Sequence, residues 1–155
     1  MIASIEKTGE KYVARFERNL DHSAKEVWAW LTENEKLSQW FPELRVGELR
    51  EGGYMTFNMP DGSVEKLQIT DFVNRSLLEF SWWEDSVRFE LNPRANGCTL
   101  TLMETINMIT DHTPKDLAGW HVCLDMIGAL LDGKSIDRMT EWKKWYEEYV
   151  QAIGK

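Results

Sequence analysis

The ionisable residue whose setting most invites chemistry is Glu104. From Cys98 to Ile106 the chain alternates, with Cys98, Leu100, Leu102, Glu104 and Ile106 on one face and Thr99, Thr101 and Met103 on the other, the period-two pattern of a half-buried strand. That alternation sets a carboxyl group among leucines, where lost hydration raises its pKa and favours the neutral acid. A neutral buried carboxyl can orient a ligand hydroxyl or amide, or act as an acid or base. The plainer alternative is that Glu104 lies beyond the buried middle of its strand and is solvated or paired with Arg88 or Arg94.

The remaining reactive side chains form no recognisable set. His22, His112 and His121, with Cys98 and Cys123, show neither the His-x-x-x-His nor the Cys-x-x-Cys spacing that brings metal ligands together, so no metal site and no cofactor is expected. His121 reads as a structural histidine beside Trp120, His112 as a turn residue and His22 as part of a loop. The two cysteines read as buried free thiols of a cytoplasmic protein rather than as a disulfide framework. There is no Gly-x-Ser-x-Gly elbow, phosphate-binding glycine loop or dinucleotide fingerprint, and no catalytic residue is assigned.

The elements that must position these groups follow an asymmetric order. Strand-like patterning is concentrated between Val46 and Ile106, and the longest helical signal comes after it, from Thr113 to Leu131. Tyr12, Ala14 and Phe16 mark a first strand. Ser23 with Glu26 forms a capping box for a helix carrying Val27, Trp28 and Leu31, and Asn34 caps a second short helix that ends before Pro42. Strands then follow around Met55 and Phe57, Val64 to Val73, Leu78 to Trp82, Val87 to Leu91 and Cys98 to Ile106. Asp61-Gly62, Asn74-Arg75 and Glu84-Asp85 supply the turns. About seven strands with short connections imply antiparallel neighbours. Thr113 is expected to cap the main helix, with Pro114 at its first position and Leu117, Trp120, Leu124, Ile127 and Leu131 at helical spacing. A final helix from about Asp137 has an apolar stripe of Met139, Trp142, Tyr146, Tyr149, Val150 and Ile153.

Composition bounds the function. With 155 residues, 43% of them hydrophobic, the chain suits one domain, 1–155, with a substantial core. A formal net charge of −8 without a basic patch argues against nucleic acid and against anionic membrane surfaces. The first residues carry Glu6 and Lys7, and the longest later apolar run, Met126 to Leu131, is far below spanning length, so no membrane insertion is expected. Eight tryptophans are many for this length; most serve core packing, and some are available to wall a binding site.

Four segments in order carry a family resemblance: HSAKEVWAWLTENEKLSQWF, the strand ending LLEFSW, the strand GCTLTLMET, and the helix LAGWHVCLDMIGALLDG. They resemble the activator of heat-shock protein 90 ATPase homologues, of the START-like or SRPBCC superfamily, over roughly residues 11 to 133. The resemblance implies an α+β helix-grip fold: a curved antiparallel sheet of six to seven strands wrapped on a long helix, two short helices after strand one, and an added helical extension at 135–155. It also implies a hydrophobic cavity between sheet and helix, faced by Trp40, Phe57, Phe80, Trp82, Phe89, Leu100, Leu102, Trp120, Leu124 and Ile127; a ligand there would need polar anchoring, from Glu104, a tryptophan N–H or a strand-edge backbone group.

Superfamily members bind lipids, sterols, polyketides or plant hormones, and some are cyclases. The expected function is therefore binding of a hydrophobic or amphipathic small molecule. One alternative is an interaction module that contacts a chaperone through its outer surface, and another is a cyclase or hydrolase using Glu104. The eukaryotic co-chaperone of the family carries a separate N-terminal domain needed to stimulate the ATPase. This sequence opens directly on strand one, so chaperone activation is not expected.

Overall fold

A computed structural model describes residues 2–153, so Gly154 and Lys155 of the expected extension lie outside the described residues. Eight strands run β1 Ser4–Thr8, β2 Lys11–Leu20, β3 Leu44–Glu48, β4 Tyr54–Asn58, β5 Val64–Val73, β6 Leu77–Trp82, β7 Asp85–Arg94 and β8 Gly97–Ile106. Helices α1 (Ala24–Thr32) and α2 (Asn34–Trp40) follow β2, and α3 (Thr113–Leu131) and α4 (Arg138–Ile153) follow the last strand. All eight strands join one antiparallel sheet in the order β1-β2-β8-β7-β6-β5-β4-β3. The long crossing from β2 to β3 is made by the two short helices. The last strand, β8, pairs with the first long one, so Ala14 stands opposite Glu104 and Phe16 opposite Leu102.

The expected count of six to seven strands is corrected to eight. The sequence starts earlier in the sheet than Tyr12 suggests, because Ser4–Thr8 forms an edge strand on β2 through a turn at Gly9, whose φ is +66°. Only Ile5 of that strand is even half-buried. It is held by backbone pairing, which leaves no alternation for a sequence reading to find.

Capping also differs in detail. Thr113 is the first residue of α3 rather than its cap, and its hydroxyl accepts a hydrogen bond from the Thr110 N–H at 2.9 Å. Asn34 likewise lies inside α2; its amide bonds the backbone of Val46 in both directions, at 2.8 and 3.3 Å, pinning the helix to β3. Ser23 caps α1 as expected, accepting from the Glu26 N–H at 3.1 Å.

One apolar cluster joins the inward faces of the sheet to α3, with Leu100, Leu102, Leu117, Leu124 and Ile127 all at most 1% exposed. Helix α4 packs against α3 through Tyr149, Trp145 and Trp142, while Met139 and Val150 of the expected stripe face solvent at 60% and 38% exposure. The fully buried Tyr149 hydroxyl ties α4 to α3 and to the residue preceding β1. It accepts from the Ala3 N–H at 2.9 Å and, its lone proton thus free to donate, meets His121 Nδ1 at 2.8 Å. His121 stacks on Trp145 with ring centroids 4.0 Å apart. Burial, with the nearby Arg18 charge, pulls its pKa down to about 3, so it is a neutral structural histidine.

Candidate functional site

The middle of the sheet-to-helix space is filled. Trp82 and Trp120 are in contact at 5.0 Å between ring centroids, and Phe41 bridges Trp120 at 5.4 Å and Trp40 at 6.1 Å. Phe89 closes the cluster, 6.0 Å from Trp120 and 6.4 Å from Trp40. Rings at these separations, mostly edge to face, pack favourably and leave no room for a guest between them.

Open space lies instead at one end of the sheet, as a cavity of about 890 Å³. The β6–β7 hairpin contributes Trp82, Trp83, Glu84 and Asp85; β4 and the residue after it give Phe57 and Met59. The end of β8 and the following loop supply Ile106, Asn107, Met108 and Thr110, and the start of α3 supplies His112, Thr113 and Asp116. A smaller cavity of about 190 Å³, lined in part by Trp120, Lys115 and Arg138, adjoins it across Trp82, His112 and Asp116.

Local structure explains this lining. Strands β6 and β7 are joined by a two-residue turn, Trp83-Glu84, since Trp82 pairs with Asp85; the reversal thus falls one residue earlier than expected. Trp83 there adopts φ +54°, a left-handed conformation that glycine takes at ease and a tryptophan takes at a cost of about 1 kcal/mol or more. Its ring is held by Phe57 at 5.1 Å and Trp82 at 4.9 Å, leaving it 46% exposed on the rim. Met108, 72% exposed, stands on the same rim.

Polar groups converge on the floor. Asp116, in the first turn of α3, accepts from the Trp82 indole N–H at 3.0 Å. Asp85 accepts from the Asn107 backbone N–H at 2.9 Å, and burial together with Asp116 and Glu84 raises its pKa. Glu104 lies two residues along β8 from Ile106 on the same inward face, opposite Val87 and Ala14. It is 0% exposed and neither oxygen receives a hydrogen bond. Burial first, then the neighbouring Asp116 and Asp85, pushes its pKa well above the ordinary carboxyl range. It is therefore a neutral acid whose single O–H faces Asp116. Arg88, the partner the plainer reading offered, is engaged elsewhere with Glu90 at 2.6 Å and Asp71 at 3.2 Å.

Of the positions expected to face a ligand, Phe57 and Trp82 line the larger cavity, Trp82 and Trp120 the smaller, and Glu104 stands behind the carboxylates of the floor. Trp40, Phe80, Phe89, Leu100, Leu102, Leu124 and Ile127 line neither cavity and are core residues, because the central aromatic rings meet one another. Sequence reasoning passed over Asp85, Ile106 and Asp116. The signal was present: Asp85 continues the inward alternation of Val87 and Phe89, and Asp116 precedes Trp120 by one helical turn. Trp83, Met108 and His112 left no such trace, since each sits in a turn or loop.

An antiparallel sheet gripping a long helix, with an apolar cavity at one end, defines a helix-grip protein of the START-like class. Residues 21–132 match the family described as activator of Hsp90 ATPase homolog 1-like protein, and the chain belongs to that family. Among solved structures it is similar to a conserved protein of unknown function from Enterococcus faecalis, with 26% identity and a TM-score of 0.89 over 98% of this chain and 90% of that one. It also resembles CalU16 from Micromonospora echinospora, with 22% identity and a TM-score of 0.71 over 94% and 89% of the two chains. A third likeness is to a protein of Bordetella parapertussis, with 20% identity and a TM-score of 0.70 over 99% and 91%. The last two speak to fold alone. No protein with a curated description matches the chain.

Proposed function

We propose that this protein binds an amphipathic small molecule, lipid-like or polyketide- or flavonoid-like, in the 890 Å³ cavity at the open end of its sheet. The observation that supports the reading is the pairing of aromatic walls, Phe57, Trp82 and Trp83, with a few convergent polar groups at the floor, the usual make-up of a ligand site. The volume fits the about 300–1,000 Å³ typical of such sites. Burying about ten methylenes at ~0.8 kcal/mol each gives about 8 kcal/mol, against an association cost of at least ~4 kcal/mol. Apolar burial alone thus yields weak binding, and the floor must supply the remainder. Cytoplasmic residence belongs to the same reading, supported by two buried cysteines that remain free thiols.

Native mass spectrometry of freshly purified protein tests the proposal by any retained molecule, and titration of tryptophan emission with dodecanol, a sterol and a flavonoid tests it directly. Saturable binding weakened by Phe57→Ala is the expected result. An unchanged spectrum with every class of ligand, together with no retained mass, would remove the container reading.

The buried Glu104 facing Asp116 favours a second reading, a cyclase or hydrolase in which Asp116, which lines the cavity, passes a proton to the bound molecule and is reprotonated from Glu104 behind it. Glu104→Gln would then retain ligand affinity while abolishing conversion of that ligand. Chaperone contact rests on the family match. A pull-down with the bacterial chaperone homologue, followed by an ATPase assay, separates it from both.

A further inference from the structure

The charge of the cavity goes beyond its shape. Among the described residues, neither lysine nor arginine lines it, while Glu84, Asp85 and Asp116 do. None of these three, nor Glu104, takes part in an ion pair among the described residues. Lys115 and Arg138 line the smaller cavity, which shares Trp82, His112 and Asp116 with the larger one. Asp85 and Asp116 each spend one oxygen on a protein donor, the Asn107 N–H and the Trp82 indole respectively; beyond these, Asp116 meets only the neutral Glu104 O–H, and neither carboxylate has a cationic partner among the described residues. A fully buried Glu104 whose oxygens receive no hydrogen bond stands behind them. Uncompensated negative charge at an apolar site is costly, and a bound positive charge removes that cost.

Resting on the ligand-binding reading above, we infer that the occupant is a cationic amphiphile: a protonated amine or ammonium head set against Asp85 and Asp116, with an apolar body between Phe57, Trp82 and Trp83. The aromatic walls suit the same charge, because the negative faces of indole and phenyl rings attract cations and are enriched where ammonium groups are recognised. A carboxylate head is disfavoured twice, by repulsion from the floor and by the absence of a lysine or arginine to receive it. Fatty acids, the common amphiphiles of similar length, are therefore poor ligands for this cavity.

The test compares molecules of one chain length and different head charge, all below their micelle concentrations: dodecylamine, dodecyltrimethylammonium, dodecanol and dodecanoate. Binding is followed by tryptophan emission and checked by native mass spectrometry at neutral pH. Dodecylamine is expected to bind at least about tenfold more tightly than dodecanoate, since opposed charges near a protein surface differ by more than about 1.4 kcal/mol at contact distances. Dodecanol should fall between. Asp116→Asn and Asp85→Asn keep the acceptor oxygens used by Trp82 and Asn107, so their fold is retained, and each should cut the amine-to-alcohol preference severalfold. Equal or tighter binding of dodecanol or dodecanoate overturns the cationic head and leaves the container reading standing. Binding by none of the four overturns both. A preference for amine that survives both substitutions also overturns the assignment of the head to these carboxylates.

Discussion

Replacing Glu104 by methionine keeps an unbranched side chain of similar volume and removes both oxygens from a site where they receive no hydrogen bond. A buried polar group left without a partner costs about 1–3 kcal/mol, and a volume-conserving swap in a packed core costs less than about 1.5 kcal/mol. Glu104→Met, which also gives up the O–H facing Asp116, is thus expected to change stability by between about 0 and +2 kcal/mol near neutral pH. The pH dependence makes the sharper test. In the unfolded chain the carboxyl titrates near its ordinary value of 4.5, whereas burial, Asp116 and Asp85 hold it well above that value in the folded protein. Above 4.5 the folded state therefore keeps a proton that the unfolded state has lost. The stability tied to this group is complete below 4.5 and declines as pH rises toward the folded-state titration, by up to about 1.4 kcal/mol per pH unit. Methionine does not titrate, so the advantage of the variant must widen with pH across this window. Urea unfolding read by tryptophan emission at unit steps from about pH 5 to about pH 8 measures it. A constant difference across the series refutes a buried neutral Glu104.

Trp83→Gly relieves the left-handed backbone at φ +54°; thermal stability should hold within about 1 kcal/mol while emission titrations lose ligand affinity at least severalfold. Tyr149→Phe deletes the hydroxyl that meets Ala3 and His121, with an expected loss of about 1–3 kcal/mol in urea unfolding. His121, whose pKa is pulled from 6.5 to about 3, carries stability that is present above 6.5 and is lost as pH falls toward 3, so His121→Gln should flatten this acid arm of the stability profile. Arg138→Met removes the 2.7 Å bond from the guanidinium to the Trp40 carbonyl, and hydrogen exchange in α2 and α4 should quicken, with about 1–2 kcal/mol lost.

The order of elements was legible in the sequence because local rules decide it. The spacing of Leu117, Trp120, Leu124 and Ile127 gave α3 its observed bounds, Thr113–Leu131, and alternation from Cys98 to Ile106 put Glu104 on the inward face where it is found. The four family segments carried the fold in the same way, since they combine helix caps, turns and periodicity. Edge strand β1 escaped because backbone pairing, without an apolar face, holds it. Where the empty space lies was decided only in three dimensions. Alternation says which side chains point inward, and it is silent on whether they meet: Trp82, Trp120, Phe41 and Phe89 do meet and fill the centre, so the cavity opens where the hairpin, the end of β8 and the start of α3 diverge. The convergence of Asp85, Glu104 and Asp116 is tertiary for the same reason. They come from β7, β8 and α3, and no spacing along the chain records that the register of two strands and the docking of a helix bring three carboxyl groups together.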